Sequence, residues 1–440
     1  MKGILLLILS IFPLPVREVY PGGEYICRSI DAGVGFIMDE SVPAEGYVIE
    51  VSSSAAEVRY SDSGGLFYAR MALSNLSFRR DDGSTGIRCC SIVDYPRARW
   101  RGFMLDSGRQ YQSPETIKRL LDMMAALKMN VFHWHLTEGL GWRVEIRRHP
   151  KLAKVGAFVA DGPEQQGYYT HHEIRDIVSY ASLRNITVVP EIDMPGHAEA
   201  ALRACPELGC FGVPAEIPAT GFTKVIFCAG KDSVLRYLEE VLDEVCELFP
   251  SEYIHLGGDE APKGNWEVCP DCARRMEEEG LKDTGELQLW FSARMAEYLK
   301  GKGRKAIFWE DVIYGDGVRL PDNALIQWWN FRAHGDSAFK KALEKGYGVI
   351  CSPNYYTYLN FPTSPWKGYA QNRTFSYEDA WLRNPVETGL SSGNPLVLGA
   401  ECALWTDYGL TEDMLDERLF PRIYALAQLF WSGNTPMSLE

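Results

Sequence analysis

From about residue 98 onward the apolar positions fall into short runs, each closed by polar residues and followed by a stretch with helical period. The runs are 102–105, 131–136, 187–192, 253–256, 305–309, 325–328, 348–351 and 396–400. Short aliphatic runs alternating with amphipathic helices predict parallel strands joined by helical crossovers. The intervening helices are well marked. Ser113 can cap a helix that has Pro114 at its first position, with Ile117, Leu120, Leu121, Met124 and Leu127 on one face. Thr170 and Glu173 form a capping box before Ile174, Ile177 and Val178, and Asp232 caps the stripe Val234, Leu235, Leu238, Val241, Leu242 and Val245. A further helix is expected over 419–431. Eight such runs fit a closed (β/α)8 barrel better than an open sheet, so the predicted fold class is α/β with a TIM barrel over 98–440. Residues 1–97 are shorter and more mixed in pattern, with strands at 47–51 and 57–60 and a helix at 65–76, a small α+β unit. No internal repeat, low-complexity tract or long linker separates the two, so they are expected to pack together.

Composition narrows the function classes. In 440 residues, 46% are hydrophobic and 24% charged, which excludes wholesale disorder, a collagen-like chain and a coiled coil. A formal charge of -14 without a Lys/Arg cluster excludes nucleic acid or an anionic membrane as the main partner. The apolar run 3–12 is short of the ~18 residues of a membrane span. Pro13-Leu14-Pro15 follows it without a small-x-small cleavage site, so it reads as a first strand, with a signal peptide as the alternative. The 11 cysteines are an odd number, and two are the vicinal Cys89-Cys90, which favours a reducing, cytoplasmic compartment over export. In such a compartment the glycosylation triplets at Asn75, Asn185 and Asn372 carry no meaning.

Polar residues cluster where the strand-like runs end, the end at which such barrels do chemistry. Tyr253-Ile254-His255-Leu256-Gly257-Gly258-Asp259-Glu260 is the most informative stretch. Two adjacent carboxylates cannot both ionise easily, so one keeps a proton for donation, and Glu260 is the candidate general acid. The glycines let the strand break so that both acids reach one cavity, although an exposed Asp-Glu pair in a loop is the plainer alternative. Glu191-Ile192-Asp193-Met194-Pro195-Gly196-His197 ends another run with two acids and a histidine. Its spacing lacks the helical His-x-x-x-His pattern of a zinc site, so substrate positioning is favoured over metal. His133 and His135 share one strand face and read as packing and hydrogen bonding rather than a metal pair. Arg109 follows the first run and can fork onto hydroxyls of a polar ligand, or form a salt bridge. Trp309, Trp329 and Trp405 each sit at the end of a different run. Core packing explains any one of them, whereas the three together look like an apolar box for a sugar ring and an attached methyl group. Tyr358, Asn360 and Asp407 can supply its polar edges. Cys269-Pro270-Asp271-Cys272 is a lone C-x-x-C without a second pair at zinc-ribbon spacing, and neither redox activity nor zinc is expected from it.

These segments together resemble glycoside hydrolase family 20, the exo-acting β-N-acetylhexosaminidases. The resemblance is carried by Pro13-Leu14-Pro15, Gly46-Tyr47-Val48-Ile49, Asp94-Tyr95-Pro96-Arg97, Arg101-Gly102, the stretch 128–137 with Gly141-Trp142-Arg143, residues 190–197, residues 255–260 and Phe420-Pro421-Arg422, and so covers nearly the whole chain. It implies a retaining, substrate-assisted reaction on terminal β-linked GlcNAc or GalNAc, without cofactor or metal, an exception to the two-carboxylate scheme of most glycosidases. In that scheme the substrate's own acetamido oxygen attacks the anomeric carbon to give an oxazolinium ion. Glu260 protonates the leaving oxygen, and Asp259 orients the acetamido N–H and stabilises the charge that develops there. Tyr358 would hold the acetamido oxygen, Trp309, Trp329 and Trp405 would wall its pocket, Arg109 would clamp the far hydroxyls, and Asp193 and His197 would support the acidic pair. The partner implied is a small glycan or glycoconjugate; monomer and homodimer both stay open.

Three positions depart from the commonest family pattern. Glu138-Gly139 stands where many members have two Asp, Asn360 where many have Asp, and Asp407 where many have Glu. Glu138 is expected still to meet His197 or Arg109. Asn360 removes a negative charge near the outer hydroxyls, so sulfated or otherwise acidic hexosamines are expected to be tolerated. The chain also stops soon after residue 431, where relatives run on, which raises the expectation of a truncated or unusual terminus. Two other classes remain: a catalytically silent carbohydrate-binding protein, and a metal-dependent barrel hydrolase built on His133, His135, Asp193 and His197.

Overall fold

The structure is a computed structural model that describes residues 11–217, 224–363, 374–382 and 384–433. The expectations placed on 3–10, on the Asn372 triplet and on the terminus past 433 lie outside the described residues.

Eight parallel strands close into a barrel: Trp100–Asp106, Val131–His135, Thr187–Glu191, Tyr253–His255, Lys305–Trp309, Ala324–Trp328, Gly348–Cys351 and Val397–Leu404, the last pairing with the first. All eight correspond to the apolar runs. The eighth extends four residues past its run because Glu401, which breaks the apolar pattern, points into the barrel and is satisfied there. It accepts from Trp100 Nε1 (3.0 Å) and Gln327 Nε2 (2.8 Å) and meets His133 Nδ1 (2.7 Å). Capping follows the chemistry of the sequence at two helices. The Ser113 hydroxyl accepts from Thr116 N–H at the head of Pro114–Ala126, and Thr170 with Glu173 makes a reciprocal capping box on His171–Ser182. Two expectations need correction. Asp232 is the first residue of helix Asp232–Leu248 rather than its cap, and its carboxylate pairs with Arg275 instead of a helix N–H. The expected helix 419–431 is two helices, Leu415–Leu419 and Arg422–Trp431, because Pro421 has no N–H to continue the first.

The barrel lumen is layered. At its N-terminal end Trp100, Val131, Val189, Ile307, Leu325, Ile350 and Leu398 form an apolar plug with Tyr253 against it. Above the plug lies a polar layer of His133, Glu191, His255, Gln327 and Glu401, all buried. Glu191 collects His135 Nδ1 (2.5 Å), His133 Nε2 (3.0 Å), His255 Nδ1 (3.1 Å) and Trp309 Nε1 (2.8 Å). His133 and His135 are therefore structural hydrogen-bonding partners of carboxylates, and the layer they form is the foundation on which the upper end of the barrel rests.

The N-terminal unit is a five-stranded sheet in the order Arg17–Val19, Cys90–Asp94, Tyr47–Val51, Ala56–Tyr60, Gly35–Met38, with helix Ser63–Leu76 packed on it and a small three-stranded sheet beside it. It joins the barrel through buried charge. Lys128 Nζ lies 2.5 Å from Asp94 Oδ2, and Asp94 also accepts from Tyr47 OH (2.7 Å) and Trp431 Nε1 (2.7 Å). Nearby, Arg101 forks onto both oxygens of Glu45 at 2.9 and 3.0 Å. Among the described residues no helix is long and apolar enough to cross a membrane.

Candidate active site

The C-terminal mouth of the barrel opens into a pocket lined by Arg109, Asp259, Glu260, Trp309, Trp329, Arg332, Asn354, Tyr358, Asn360, Phe361, Trp405 and Asp407. Nine of the residues expected from sequence line it; Glu138, Asp193 and His197 lie directly behind.

The fourth strand ends at His255, and the chain then turns through Gly257 and Gly258, both at positive φ. A side chain at 257 would place its Cβ 1.8 Å from Asp193 Oδ1, so glycine there lets the two loops touch. Gly258 N–H donates to Asp193 Oδ1 at 3.0 Å. Glu260 itself sits at φ 49°, an uncommon conformation for a non-glycine residue, and its N–H donates to Asp311 Oδ1 at 3.2 Å. The outcome is two adjacent acids turned toward one cavity. Both address the same imidazole nitrogen: His197 Nε2 is 3.5 Å from Asp259 Oδ2 and 3.9 Å from Glu260 Oε2.

Their surroundings differ. Asp259 is 8% exposed, and its Oδ1 is buried without a hydrogen-bond partner among the described residues. The Glu260 side chain is 40% exposed. Its carboxyl is raised above the ordinary value first by desolvation and then by the neighbouring Asp259 charge, against the pull of His197 and Arg109. His197 is held by Glu138 at Nδ1 (2.8 Å). Burial opposes its charge, but Glu138 and Asp259 outweigh this and lift its pKa well above the usual imidazole value. Asp193 is fully buried, and desolvation together with Asp259 pushes its carboxyl well up.

Glu138 bridges the two cations of the site, as its length allows. One oxygen meets His197 and the other Arg109 Nη2 at 2.8 Å, while Gly139 N–H donates to the first at 2.7 Å. Both pairs hold the Glu138 carboxyl well below the usual range despite its burial. Arg109 is fixed from the other side by Asp106 (2.9 Å) and lies 5.2 Å from the centre of the Trp405 ring. It is thus oriented by three groups, and its pKa is raised further.

The walls are aromatic. Trp329 and Tyr358 lie parallel with centroids 6.4 Å apart, Tyr358 and Trp405 are at 6.0 Å, and Trp309 and Trp405 at 5.8 Å. Trp309 is anchored to Glu191 of the polar layer and Trp329 Nε1 to Asp311 Oδ2 (2.7 Å). On the outer rim Asn360 Nδ2 donates to Asp407 Oδ1 at 3.3 Å, and burial raises Asp407 to about 6 in spite of Arg109.

Sequence reasoning missed Asp311, Arg332, Asn354 and Phe361. Asp311 ties the turn at Glu260 to Trp329, and desolvation with the Asp259 charge pushes its carboxyl to about 7. The signal available was its place two residues past the fifth strand. The convergence of four cysteines was also missed, because Cys210 and Cys228 stand far from the Cys269-x-x-Cys272 pair in sequence.

Comparison with known proteins agrees with this architecture. The profile of the glycosyl hydrolase family 20 catalytic domain matches residues 99–434. A β-hexosaminidase of Porphyromonas gingivalis is 37% identical over 432 residues, covering 94% of this chain and 53% of its own length. One from Vibrio furnissii is 34% identical over 409 residues, covering 87% and 64%. The chain therefore spans about half to two thirds of the length of these curated relatives. Among solved structures, a β-N-acetylhexosaminidase from Bacteroides fragilis gives a TM-score of 0.91 at 52% identity, covering 98% of this chain and 92% of that one. A Streptomyces plicatus N-acetyl-β-hexosaminidase in complex with thio-NAglucal gives 0.80 at 28%, covering 98% and 92%. With its barrel and three quarters of its length matched in this way, the chain belongs to glycosyl hydrolase family 20.

Proposed function

We propose that the protein is an exo-acting, retaining β-N-acetylhexosaminidase that releases terminal β-linked GlcNAc or GalNAc by substrate-assisted catalysis. The observation that carries this reading is the placement of Asp259 and Glu260 against one nitrogen of His197. A conventional retaining pair attacks a sugar from opposite faces. Asp259, beside the acid and buried with its Oδ1 short of a donor, is suited to hold the acetamido N–H rather than to attack carbon, which leaves the nucleophile to the substrate.

In this reading the 2-acetamido oxygen attacks the anomeric carbon as the glycosidic C–O bond breaks, and Glu260 gives its proton to the leaving oxygen. Desolvation and the Asp259 charge raise its pKa, which favours the protonated form that this step needs. The unpartnered Asp259 Oδ1 accepts the acetamido N–H, and its negative charge offsets the positive charge that grows on the ring formed. Tyr358 OH donates to the acetamido oxygen, and Trp309, Trp329 and Trp405 enclose the methyl group and exclude water. Glu260, now ionised, takes a proton from water as the water oxygen opens the oxazolinium ion with net retention. Arg109, held between Asp106 and Glu138, binds outer hydroxyls. A pocket floored by Trp309 and the layer beneath it suits a single terminal sugar, which supports the exo mode. The names of the curated relatives support the reaction class.

Both ring nitrogens of His197 face carboxylates, Nδ1 toward Glu138 at 2.8 Å and Nε2 toward Asp259 at 3.5 Å, an arrangement that favours a positioning role over the metal-hydrolase reading. The test is release of 4-nitrophenol from its β-GlcNAc and β-GalNAc derivatives. Wild type should turn over, and Glu260→Gln and Asp259→Asn should each lose at least about a hundredfold in kcat, the size of effect usual for removing one acid–base or charge-stabilising group. A folded wild type without turnover would instead identify a silent binding protein.

A further inference from the structure

Behind the acidic pair, four buried cysteines converge from two separate loops. Cys210 and Cys228 belong to the connection after the third barrel strand, and Cys269 and Cys272 flank the start of helix Pro270–Glu279 after the fourth. The Sγ atoms are separated by 4.0 Å (Cys210–Cys272), 3.9 Å (Cys228–Cys269) and 3.8 Å (Cys228–Cys272), and all four lie within 4.8 Å of one another. A tetrahedron of thiolates around zinc, with Zn–S of about 2.3 Å, has edges of about 3.8 Å. Two disulfides would instead divide the sulfurs into two bonded pairs at about 2.05 Å. Here Cys228 is nearly equidistant from Cys269 and Cys272, so the arrangement selects no pairing.

The surrounding chain is shaped to hold this cluster. A Cβ at Gly230 would lie 2.2 Å from the Asp271 carbonyl carbon and 2.4 Å from Cys272 N, so the turn after Cys228 can lie on the turn between Cys269 and Cys272 only as glycine. Cys228 N–H donates to Leu208 O at 2.9 Å, beside an antiparallel bridge between Gly209 and Phe227. Lys231 Nζ donates to Gly209 O (2.6 Å) and Arg274 Nη2 to Gly230 O (3.3 Å), which places two cations beside a site that would carry net negative charge. The cluster also touches the site's framework: Phe227 N–H donates to Pro195 O at 3.0 Å, two residues before His197.

We infer that Cys210, Cys228, Cys269 and Cys272 bind one structural zinc ion as four thiolates, stapling the loop that carries His197 to the segment that follows Asp259 and Glu260. Loading deprotonates the thiols and releases their protons to solvent. The ion has no open position for substrate, so its role is architectural. The sequence expectation that Cys269-x-x-Cys272 is a lone pair is thereby replaced by a complete ligand set contributed across two loops.

Elemental analysis of the full chain, purified under reducing conditions without chelator, tests this independently of whether the protein hydrolyses any sugar. About one zinc per chain is expected, retained in Cys351→Ser and lost in Cys269→Ser/Cys272→Ser. Should the double variant not fold, wild type alone decides. Titration with a mercurial should release the zinc as four thiols react, and cobalt exchanged into the site should give the intense visible bands of tetrahedral thiolate coordination. Less than about 0.1 zinc per chain after incubation with zinc, stoichiometric iron in its place, or two disulfides among these cysteines in non-reduced peptide maps would each overturn the inference.

Discussion

Asp259 and Glu260 are neighbours in sequence, yet one is nearly enclosed and the other reaches the open pocket, and the roles proposed for them follow from this difference. A proton donor with a raised pKa works below that value and fails as pH rises through it. The alkaline limb of kcat/KM should therefore lie above the ordinary carboxylate value of 4.5. Asp259→Asn removes the charge contribution to that shift but leaves desolvation, so the limb of its residual activity should move to lower pH; an unmoved limb would mean that Glu260 does not sense Asp259. At the rim, Asn360 donates to Asp407 and adds no charge of its own. Asn360→Asp should lower the ratio of kcat/KM for 6-sulfated over neutral 4-nitrophenyl substrates by about fivefold or more, since an added unit charge in such a pocket is worth about 1 kcal/mol or more. An unchanged ratio would remove Asn360 from substrate selection. Glu138 was legible in sequence because its length allowed only a few partners, and it found both. Asp311 was not, since an acid past a strand shows its role only when the neighbouring loops that supply Trp329 and the Glu260 N–H are folded against it.

At the level of elements, the eight strands could be read directly because each is a short apolar run whose two faces are both buried, a signal that polar crossovers leave uninterrupted. Their ends were harder to read. Glu401 extends the eighth strand only because His133, Gln327 and Trp100 meet it inside the barrel, and Asp232 gives up capping for Arg275. Each outcome depends on partners more than 40 residues away. The loop after the fifth strand carries its own prediction. Asp311, raised to about 7 from an ordinary value of 3.8, binds a proton in the folded protein that the unfolded chain has lost, so it makes stability fall as pH rises from about 4 to about 7. Asp311→Asn should flatten the slope of Tm against pH in that window. A slope identical to wild type would show that Asp311 is ionised throughout.

Across the whole molecule, the sheet unit and the barrel share buried charge at Lys128, Asp94, Arg101 and Glu45, so they should unfold together. Lys128→Met leaves Asp94 buried with only Tyr47 and Trp431 as donors and should cost about 3 kcal/mol, the lower end for breaking a buried pair. Urea unfolding followed by fluorescence and by circular dichroism should give coincident single transitions for wild type, shifted to lower urea for the variant. Two separated transitions in wild type would contradict a shared core. The joint was invisible in sequence, where nothing local connects Asp94, Lys128 and Trp431 at their distant positions. The overall order, a small α+β unit followed by a barrel with its chemistry at the strand ends, was visible because periodicity and strand-end polarity are local.

If the substrate supplies the nucleophile, the rate must respond to the strength of that nucleophile. Fluorinating the acetamido methyl of 4-nitrophenyl β-GlcNAc step by step withdraws electrons from the attacking oxygen while leaving the leaving group and the sugar ring unchanged. We expect kcat to fall with each fluorine and to be lower by at least about tenfold, or ~1.4 kcal/mol in the barrier, for the trifluoroacetamide. A kcat indifferent to fluorination would contradict substrate assistance and require a nucleophile from the protein.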